Sequence, residues 1–483
     1  MLQLLLGGSG SGKTTLLYQR IRARAEKGEK SILLVPEQFT SSTEGRIYRE
    51  LGDALSGMVE SFSFTSLAEK ILSTEGGAAV QTLSDAGRAV LVRRALEELQ
   101  DNVHYYHRHR RSAAFCQMAA QTIDELKSAG LSGQQLAQLA GACGAESGKL
   151  SELALIFQGY ETLLARSGMD PSDRLELAGA RLEEALARHS LPEFLRDRAV
   201  FIDEFDTFNA PKKRLLGAML AALPSVTVAL CDDGAPLLPG DLSLFSGAKQ
   251  VAAQLRQLAR KNGAEVAVPQ LLRKDLRHRN APGLAAVAEL LETGSCTADA
   301  PAGEVRLFAA PSREEEARAA AGAIRRLMRQ GVRCGKIAVV CRDIAKYRAA
   351  VRYEFRMAEI PLYCDEPTTP EFSAPATAVR ALLEIARGAD LTENLTTLAK
   401  TGLCALSEEQ VCALENYAYT WAPTAAAWRE KFERSPKGFG EQELTEEDLR
   451  NRERAEHARA LLVGAVDAFR AKVRGVNAEA ISR

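Results

Sequence analysis

The sequence predicts an α/β protein whose strands lie in parallel sheets. Short apolar runs of strand length recur along the chain, and most of them lead into a segment with helical periodicity. Strands that alternate with helices need crossover connections, which are typical of parallel sheets. A long stretch rich in alanine, leucine, glutamate and arginine separates two groups of these pairs, so we also expect an all-helical insertion.

The composition is that of an ordinary globular protein. Of the 483 residues, 46% are hydrophobic and 26% are charged, and this length suggests about three domains. The net charge of −1 means that any contact with nucleic acid must come from local patches. We see neither a membrane span nor a signal peptide and expect a cytoplasmic protein. The nine cysteines form no CxxC pair, which indicates reduced thiols.

A glycine-rich loop follows the first apolar run. Residues 7–15 read Gly-Gly-Ser-Gly-Ser-Gly-Lys-Thr-Thr and fit the P-loop pattern GxxxxGK[ST], in which backbone N–H groups surround a polyphosphate at a helix N-terminus. In this pattern Lys13 reaches the β- and γ-phosphates and Thr14 coordinates Mg²⁺. The alternative is a chance glycine-rich turn, against which the strand before and the helix after the loop both count. The expected cofactors are ATP and Mg²⁺, and the expected nucleotide-binding residues are Gly7, Gly8, Ser9, Gly10, Ser11, Gly12, Lys13, Thr14 and Thr15.

Four more strands complete the first α/β domain. We expect them at 31–36, 59–64, 199–202 and 226–230. Residues 83–191, which separate the second of these from the third, have helical spacing with glycine breaks. An unstructured loop of that length is uncommon, so we interpret this stretch as a helical domain inserted into the first one.

The strand at 199–202 ends in two acidic residues. We expect Asp203 to hold Mg²⁺ together with Thr14, and Glu204 to polarise the water that attacks the γ-phosphate. With Lys13, these acids are the predicted catalytic residues of this domain. The alternative is that they only cap the turn after the strand, but the P-loop upstream favours the catalytic interpretation.

A second α/β set follows a proline- and glycine-rich segment at 281–303. We expect its strands at 304–310, 336–343 and 360–363, and a helical pattern from about residue 372 onward. The expected division of the chain is 1–82 and 192–295 for the first α/β domain, 83–191 for its helical insertion, 296–385 for the first part of the second α/β domain, and 386–483 for a second, truncated helical insertion.

Several segments, taken in order, carry a resemblance to a known family. The first is the P-loop. The next two are residues 33–39, which contain Pro-Glu-Gln-Phe, and residues 201–208, which contain Ile-Asp-Glu-Phe. The last two are residues 337–343 and 360–365. The sequence resembles AddB, the second component of the AddAB helicase-nucleases, which is called RexB in some bacteria. UvrD-like superfamily 1 helicases share the P-loop and the Asp-Glu strand, whereas the Pro-Glu-Gln-Phe and Ile-Asp-Glu-Phe segments indicate AddB in particular.

The resemblance implies a P-loop NTPase with two RecA-like parallel-sheet domains, each with a mostly helical insertion. It implies a heterodimer with an AddA-like subunit that processes double-strand DNA ends for homologous recombination and repair, contacts single-stranded DNA and recognises Chi sequences. In the family, a C-terminal nuclease domain holds a 4Fe-4S cluster through four cysteines. Neither that cysteine pattern nor a nuclease motif stands in these 483 residues, so we expect an N-terminal fragment without nuclease activity.

Further site residues follow from the same resemblance. UvrD-like enzymes place an arginine of the second domain near the γ-phosphate, and Arg342 is the candidate here, with Arg348 as a second one. Both could equally be ordinary surface arginines. Gln38 and Phe39 are candidates for contact with single-stranded DNA, with a packed Phe39 as the alternative.

The segment 231–234 departs from the pattern of active UvrD-like helicases. It reads Cys-Asp-Asp-Gly and lacks the glutamine that couples the γ-phosphate to bound DNA in those enzymes. We therefore expect a degenerate motor that binds ATP and hydrolyses it poorly or not at all. One alternative is an active superfamily 1 helicase, which the presence of Thr14, Asp203 and Glu204 supports. Another is a P-loop kinase or transport ATPase, against which the second α/β set counts.

Overall fold

The computed structural model describes residues 1–99, 101–109, 112–142, 144, 147–295, 303–365, 373–388, 391–440 and 443–473. The chain forms two compact units, Met1–Leu307 and Phe308–Arg483. The division falls later than the boundary expected after residue 295. Within the first unit, the Glu304 carboxylate accepts a hydrogen bond of 2.8 Å from the backbone N–H of Gly283.

The first unit is built on a sheet of six strands. They are β1 Leu2–Gly7, β2 Ser31–Leu34, β3 Val59–Phe62, β4 Ala199–Ile202, β5 Ser225–Cys231 and β6 Gln270–Leu272. Their order across the sheet is β3-β2-β4-β5-β1-β6, and every pairing is parallel. The predicted α/β class with a parallel sheet is therefore confirmed, although β6 was not among the predicted strands.

Helices cover both faces of this sheet. Those of the α/β layers are α1 Lys13–Ala25, α2 Thr40–Leu51, α3 Asp53–Ser56 and α4 Phe64–Glu75. Alternate residues of β1 point to opposite faces: Leu2, Leu4 and Leu6 are buried in one core cluster, whereas Leu5 belongs to the other, together with Leu17 of α1. The apolar strand sequence is thus buried on both sides, as a parallel sheet requires.

Five helices lie between α4 and β4, within the stretch predicted to be a helical insertion. They are α5 Asp85–Glu98, α6 Ala113–Ser128, α7 Gly133–Ala140, α8 Ser147–Ser167 and α9 Pro171–Ala187. Inside them, the buried Tyr160 hydroxyl donates to the Asp170 carboxylate at 2.6 Å, and the Lys127 ammonium donates to the same carboxylate at 2.8 Å. The unit continues with α10 Ala210–Ala222, α11 Ser246–Lys261 and α12 Pro282–Thr293.

The second unit is helical over its described residues. Its helices are α13 Arg313–Arg329, α14 Ile344–Met357, α15 Ala374–Ala386, α16 Leu391–Lys400, α17 Glu408–Trp421 and α18 Glu446–Val473. A small core joins α13 to α14, and a larger one around the fully buried Trp428 joins the last four. Throughout both units, no described helix combines the length and the apolar character needed to cross a membrane.

The second sheet that the sequence predicts is not present among the described residues. The segments 304–310, 337–343 and 360–363 are irregular, without strand pairing between described residues. Several of their apolar side chains are exposed: Phe308 is 66% exposed, Val340 92% and Tyr363 87%. Ile360 and Ile337 instead pack into the core of α13 and α14. Strands of a parallel sheet are normally buried on both faces, and here only α13 and α14 pack against one another beside them.

Hydrogen exchange distinguishes the irregular arrangement of these segments from the predicted second sheet. We expect the amides of 338–341 to exchange at close to the rate of an unstructured peptide, because no ladder hydrogen bond holds them. The amides of β5, which is central in the sheet, serve as the internal control and should be strongly protected. Equal protection of both segments, measured by mass spectrometry on the whole chain, would contradict the irregular arrangement and show that a second sheet forms.

Candidate functional site

The carboxyl ends of the central strands bring the predicted site residues together. The β1–β5 register pairs Gly7 with Cys231, and the β4–β5 register pairs Ile202 with Val228. Because the strands are parallel, the loop after β1 and the acidic residues after β4 emerge at the same edge of the sheet. A cavity of about 440 Å³ lies at this edge, lined by P-loop residues, Asp203, Glu204 and Cys231 among others.

The glycines of the P-loop shape its backbone. Gly10 and Gly12 have φ angles of 78° and 89°, in the left-handed region that side chains with a Cβ rarely adopt, and Gly12 immediately precedes α1. A Cβ on Gly7 would lie 2.7 Å from the carbonyl oxygen of Leu272 in β6. The loop therefore needs glycine at these positions both for its turn and for its close approach to the neighbouring strand.

Lys13 lies folded over the loop that precedes it. Its ammonium donates hydrogen bonds of 2.8 Å to the carbonyl oxygens of Gly7 and Gly8. Burial lowers the pKa of Lys13 from its ordinary value, while the nearby Cys231 and Asp203 act in the opposite direction. The lysine is thus a partly desolvated cation whose partners are weak dipoles that an anionic ligand could replace.

Asp203 and Glu204 are held by local hydrogen bonds. Thr14 lines the same cavity as Asp203, and the backbone N–H of Glu204 donates to the Asp203 carboxylate at 3.0 Å. Glu204 has a φ of 65°, a strained conformation for a residue with a Cβ. Burial raises the pKa of Asp203; burial and the neighbouring Asp203 raise that of Glu204.

The oxygen donors at this edge fit a magnesium ion. Thr14 and Asp203 offer a hydroxyl and a carboxylate that line the same cavity, and Mg²⁺ is usually held by one or two carboxylates together with waters and substrate phosphates. Among the described residues, no group of three or more His, Cys, Asp or Glu side chains could hold a metal alone.

Two arginines that the sequence analysis did not single out lie at the same cavity. Arg46 on α2 lines it, and its guanidinium carbon lies 4.9 Å from the centroid of the Tyr18 ring. Arg277, in the turn after β6, donates to the Ser9 hydroxyl at 3.2 Å. Neither belongs to a recognisable motif, and β6 is a three-residue strand without a long apolar run. No sequence signal we used could have identified these two residues.

Gln38, Phe39 and Asp232 are not among the residues that line the cavity. Gln38 and Phe39 form a short 3-10 turn after β2 and are exposed. They lie at the same edge of the sheet, because β2 is parallel to β4. Arg342 is an exposed residue of the second unit, and its role at the phosphate stays a prediction. After Cys231, the buried Asp232 accepts a hydrogen bond of 2.7 Å from the N–H of Gly234 and closes a tight turn.

Comparison with known proteins places this fold and site in a family. Three relatives are each named as the B component of an ATP-dependent helicase/deoxyribonuclease. The proteins of Desulforudis audaxviator and Symbiobacterium thermophilum are 32% and 31% identical over 88% and 89% of the chain, and that of Clostridium perfringens strain 13 is 27% identical over 98%. The chain spans only 37–42% of the length of these relatives.

The family model described as "ADDB, N-terminal" matches residues 4–288. That range contains the whole parallel sheet apart from the first residues of β1, together with the P-loop and the two acidic residues at the end of β4. Because it also covers more than half of the 483 residues, the chain belongs to the AddB family.

Proposed function

We propose that this chain binds ATP and Mg²⁺ at the carboxyl edge of its first sheet. The observation that carries the proposal is the convergence of Lys13, Thr14, Asp203 and Glu204 on one cavity of about 440 Å³. Lys13 would exchange its bonds to two P-loop carbonyls for bonds to the β- and γ-phosphates. Thr14 and Asp203 would hold the metal, and Glu204 would face the γ-phosphate.

Within this site, we propose binding of ATP with little or no hydrolysis. The turn at 231–234 supplies no glutamine where active UvrD-like helicases have one. Its Asp232 is occupied in a hydrogen bond to its own turn and is 2% exposed. Without a side chain that responds both to the γ-phosphate and to DNA, nucleotide binding would act as a clamp and not as a motor step.

The relatives' names extend the proposal to a biological role. A protein named as one component of an enzyme implies a partner, and we propose an AddA-like subunit with which this chain processes double-strand DNA ends for homologous recombination and repair, including recognition of Chi. Residues 296–385 would be the first part of a second RecA-like domain. The alternation of α13 and α14 with the apolar segments 304–310, 337–343 and 360–363 supports this proposal, although these segments pair in no sheet among the described residues, and Arg342 would act from this domain.

An active superfamily 1 helicase is the second candidate. It is favoured by the complete set of Thr14, Asp203 and Glu204 and by the strained backbone that presents Glu204 to the cavity. The two candidates share ATP binding and differ in turnover. DNA-stimulated hydrolysis therefore decides between them.

Replacing Lys13 tests the site itself. We expect Lys13→Ala to weaken ATP binding by about a hundredfold or more, because the ammonium would make charge-assisted bonds to two phosphates, each worth about 1.5–3 kcal/mol. Isothermal titration with Mg-ATP measures this effect. Lys27, just beyond the far end of α1 and outside the cavity, provides the control Lys27→Ala, which should bind like the wild type. If Lys13→Ala bound Mg-ATP as tightly as the wild type does, the proposed ATP site would be wrong.

ATP hydrolysis in the same preparations distinguishes binding without hydrolysis from an active helicase. Release of phosphate is followed with and without single-stranded DNA, in the wild type and in Glu204→Gln. Binding without turnover supports the clamp. Stimulated turnover that is lost in Glu204→Gln would instead establish the helicase, and the interpretation of the 231–234 turn as a broken coupling element would be wrong.

Because the pKa of Asp203 is raised, we expect that removing its charge by mutation stabilises the protein above the pKa of this carboxyl group. Between its ordinary pKa and its raised pKa in the folded state, the native protein holds a proton that the unfolded chain releases, so stability falls as pH rises through this window. Asp203→Asn cannot ionise and should raise the melting temperature at about pH 8. The increase in melting temperature should become smaller towards about pH 4, where Asp203 is protonated and therefore neutral, like the asparagine that replaces it. Asp206→Asn, an exposed acid of the same loop, is the control. A gain that persists at acidic pH would contradict the assignment to the Asp203 charge.

Phe39 is the proposed stacking residue for single-stranded DNA. Its ring is 36% exposed in the turn after β2, and stacking of one base on an aromatic ring contributes about 1–3 kcal/mol. Phe39→Ala should therefore weaken oligonucleotide binding roughly five- to a hundredfold, with the slope of affinity against salt unchanged because no phosphate contact is lost. Fluorescence anisotropy at several salt concentrations measures both. Tyr419→Ala, an aromatic residue that is 91% exposed, should behave as wild type. Equal affinities for Phe39→Ala and wild type would mean that Phe39 does not stack on DNA.

A further inference from the structure

Arg46 is held against an aromatic ring at the mouth of the cavity. Its guanidinium carbon lies 4.9 Å from the centroid of the Tyr18 ring, within the range in which a cation is attracted to an aromatic face. Tyr18 is itself buried in the core between α1 and the sheet, with 5% of its surface exposed. A rigid ring therefore orients the arginine, which would otherwise be free to point into solvent.

The surroundings of Arg46 are acidic. It lines the same cavity as Lys13, Thr14, Asp203 and Glu204. Burial raises the pKa of both acids, and the positive charge of Arg46 acts against that effect on each of them. Arg46 belongs to α2, which follows β2, and β2 pairs directly with β4. The arginine therefore approaches the cavity from the side where β4 ends.

That side of a P-loop site corresponds to the terminal phosphate. Thr14 and Asp203 would hold the metal, which would neutralise charge on the terminal phosphates, and Glu204 would face the γ-phosphate. A cation beside these two acids would contact the γ-phosphate of ATP. ADP lacks that phosphate, so the cation would make no such contact with it. Arg277 lies instead on the opposite flank, against Ser9 and Gly10.

We infer that Arg46, oriented by the Tyr18 ring, binds the γ-phosphate and makes this site prefer a nucleoside triphosphate to a diphosphate. The inference rests on the proposed ATP site. In it, Arg46 contacts the ligand, and Tyr18 is a positioning residue that acts through Arg46. An arginine of the first unit would then report the state of the nucleotide without help from the second unit.

The test compares triphosphate with diphosphate affinity on the whole chain. Mg-ADP and a slowly hydrolysed ATP analogue are titrated into wild type and Arg46→Ala. We expect the wild type to prefer the triphosphate. Arg46→Ala should weaken triphosphate binding roughly ten- to a hundredfold, as for one or two charge-assisted hydrogen bonds, and should leave ADP binding within about twofold. Arg49→Ala, on the exposed side of the same helix, is the matched control and should keep the preference.

Two variants of Tyr18 test the positioning role. Tyr18→Phe keeps the ring and should keep the preference for the triphosphate, whereas Tyr18→Leu should reduce it without a matching loss of ADP affinity. Equal losses for both nucleotides in Arg46→Ala, or no loss for either, would overturn the inference. If Lys13→Ala also bound the nucleotide normally, the proposed ATP site itself would fail, so the two failures are distinguishable.

Discussion

The parallel pairing of β1, β5 and β4 is the constraint on which the rest of the structure depends. Because these strands run in one direction and in fixed register, the loop after β1 and the acids after β4 must emerge at one edge. Thr14 and Asp203, which come from segments far apart in sequence, then line one cavity. A shift of β4 by one residue would turn Asp203 to the other face of the sheet.

The same edge carries features that do not favour folding. Asp203 is buried as an acid whose pKa is raised, and Glu204 adopts a left-handed backbone conformation. Residues in such conformations cost on the order of 1–3 kcal/mol each. They persist because the surrounding sheet and its two cores are extensive, and their concentration beside the P-loop indicates a site that is shaped for a ligand.

The sequence predicted the parts of the molecule that have local signals. The P-loop glycines, the strand that ends at Asp203 and the helical character of 83–191 can be read from spacing alone. Arg46 and Arg277 could not be found in this way, because their approach to the cavity depends on how α2 and the β6 turn pack. The second sheet was expected from apolar runs such as 337–341. Apolar runs predict burial, and burial requires covering layers that the described residues do not provide.

The strand order has a consequence for how this molecule is assembled. β1 pairs with β5 and β6, whereas β2 pairs with β3 and β4, so nothing joins β1 to β2 directly. The strands synthesised first therefore form two disconnected pieces until β4 and β5 leave the ribosome, after the whole of α5–α9. Local helical contacts form faster than such distant pairings, so the helical insertion can fold while the P-loop still lacks its neighbours. The proposed nucleotide site would then be completed only after β4 and β5 have been synthesised.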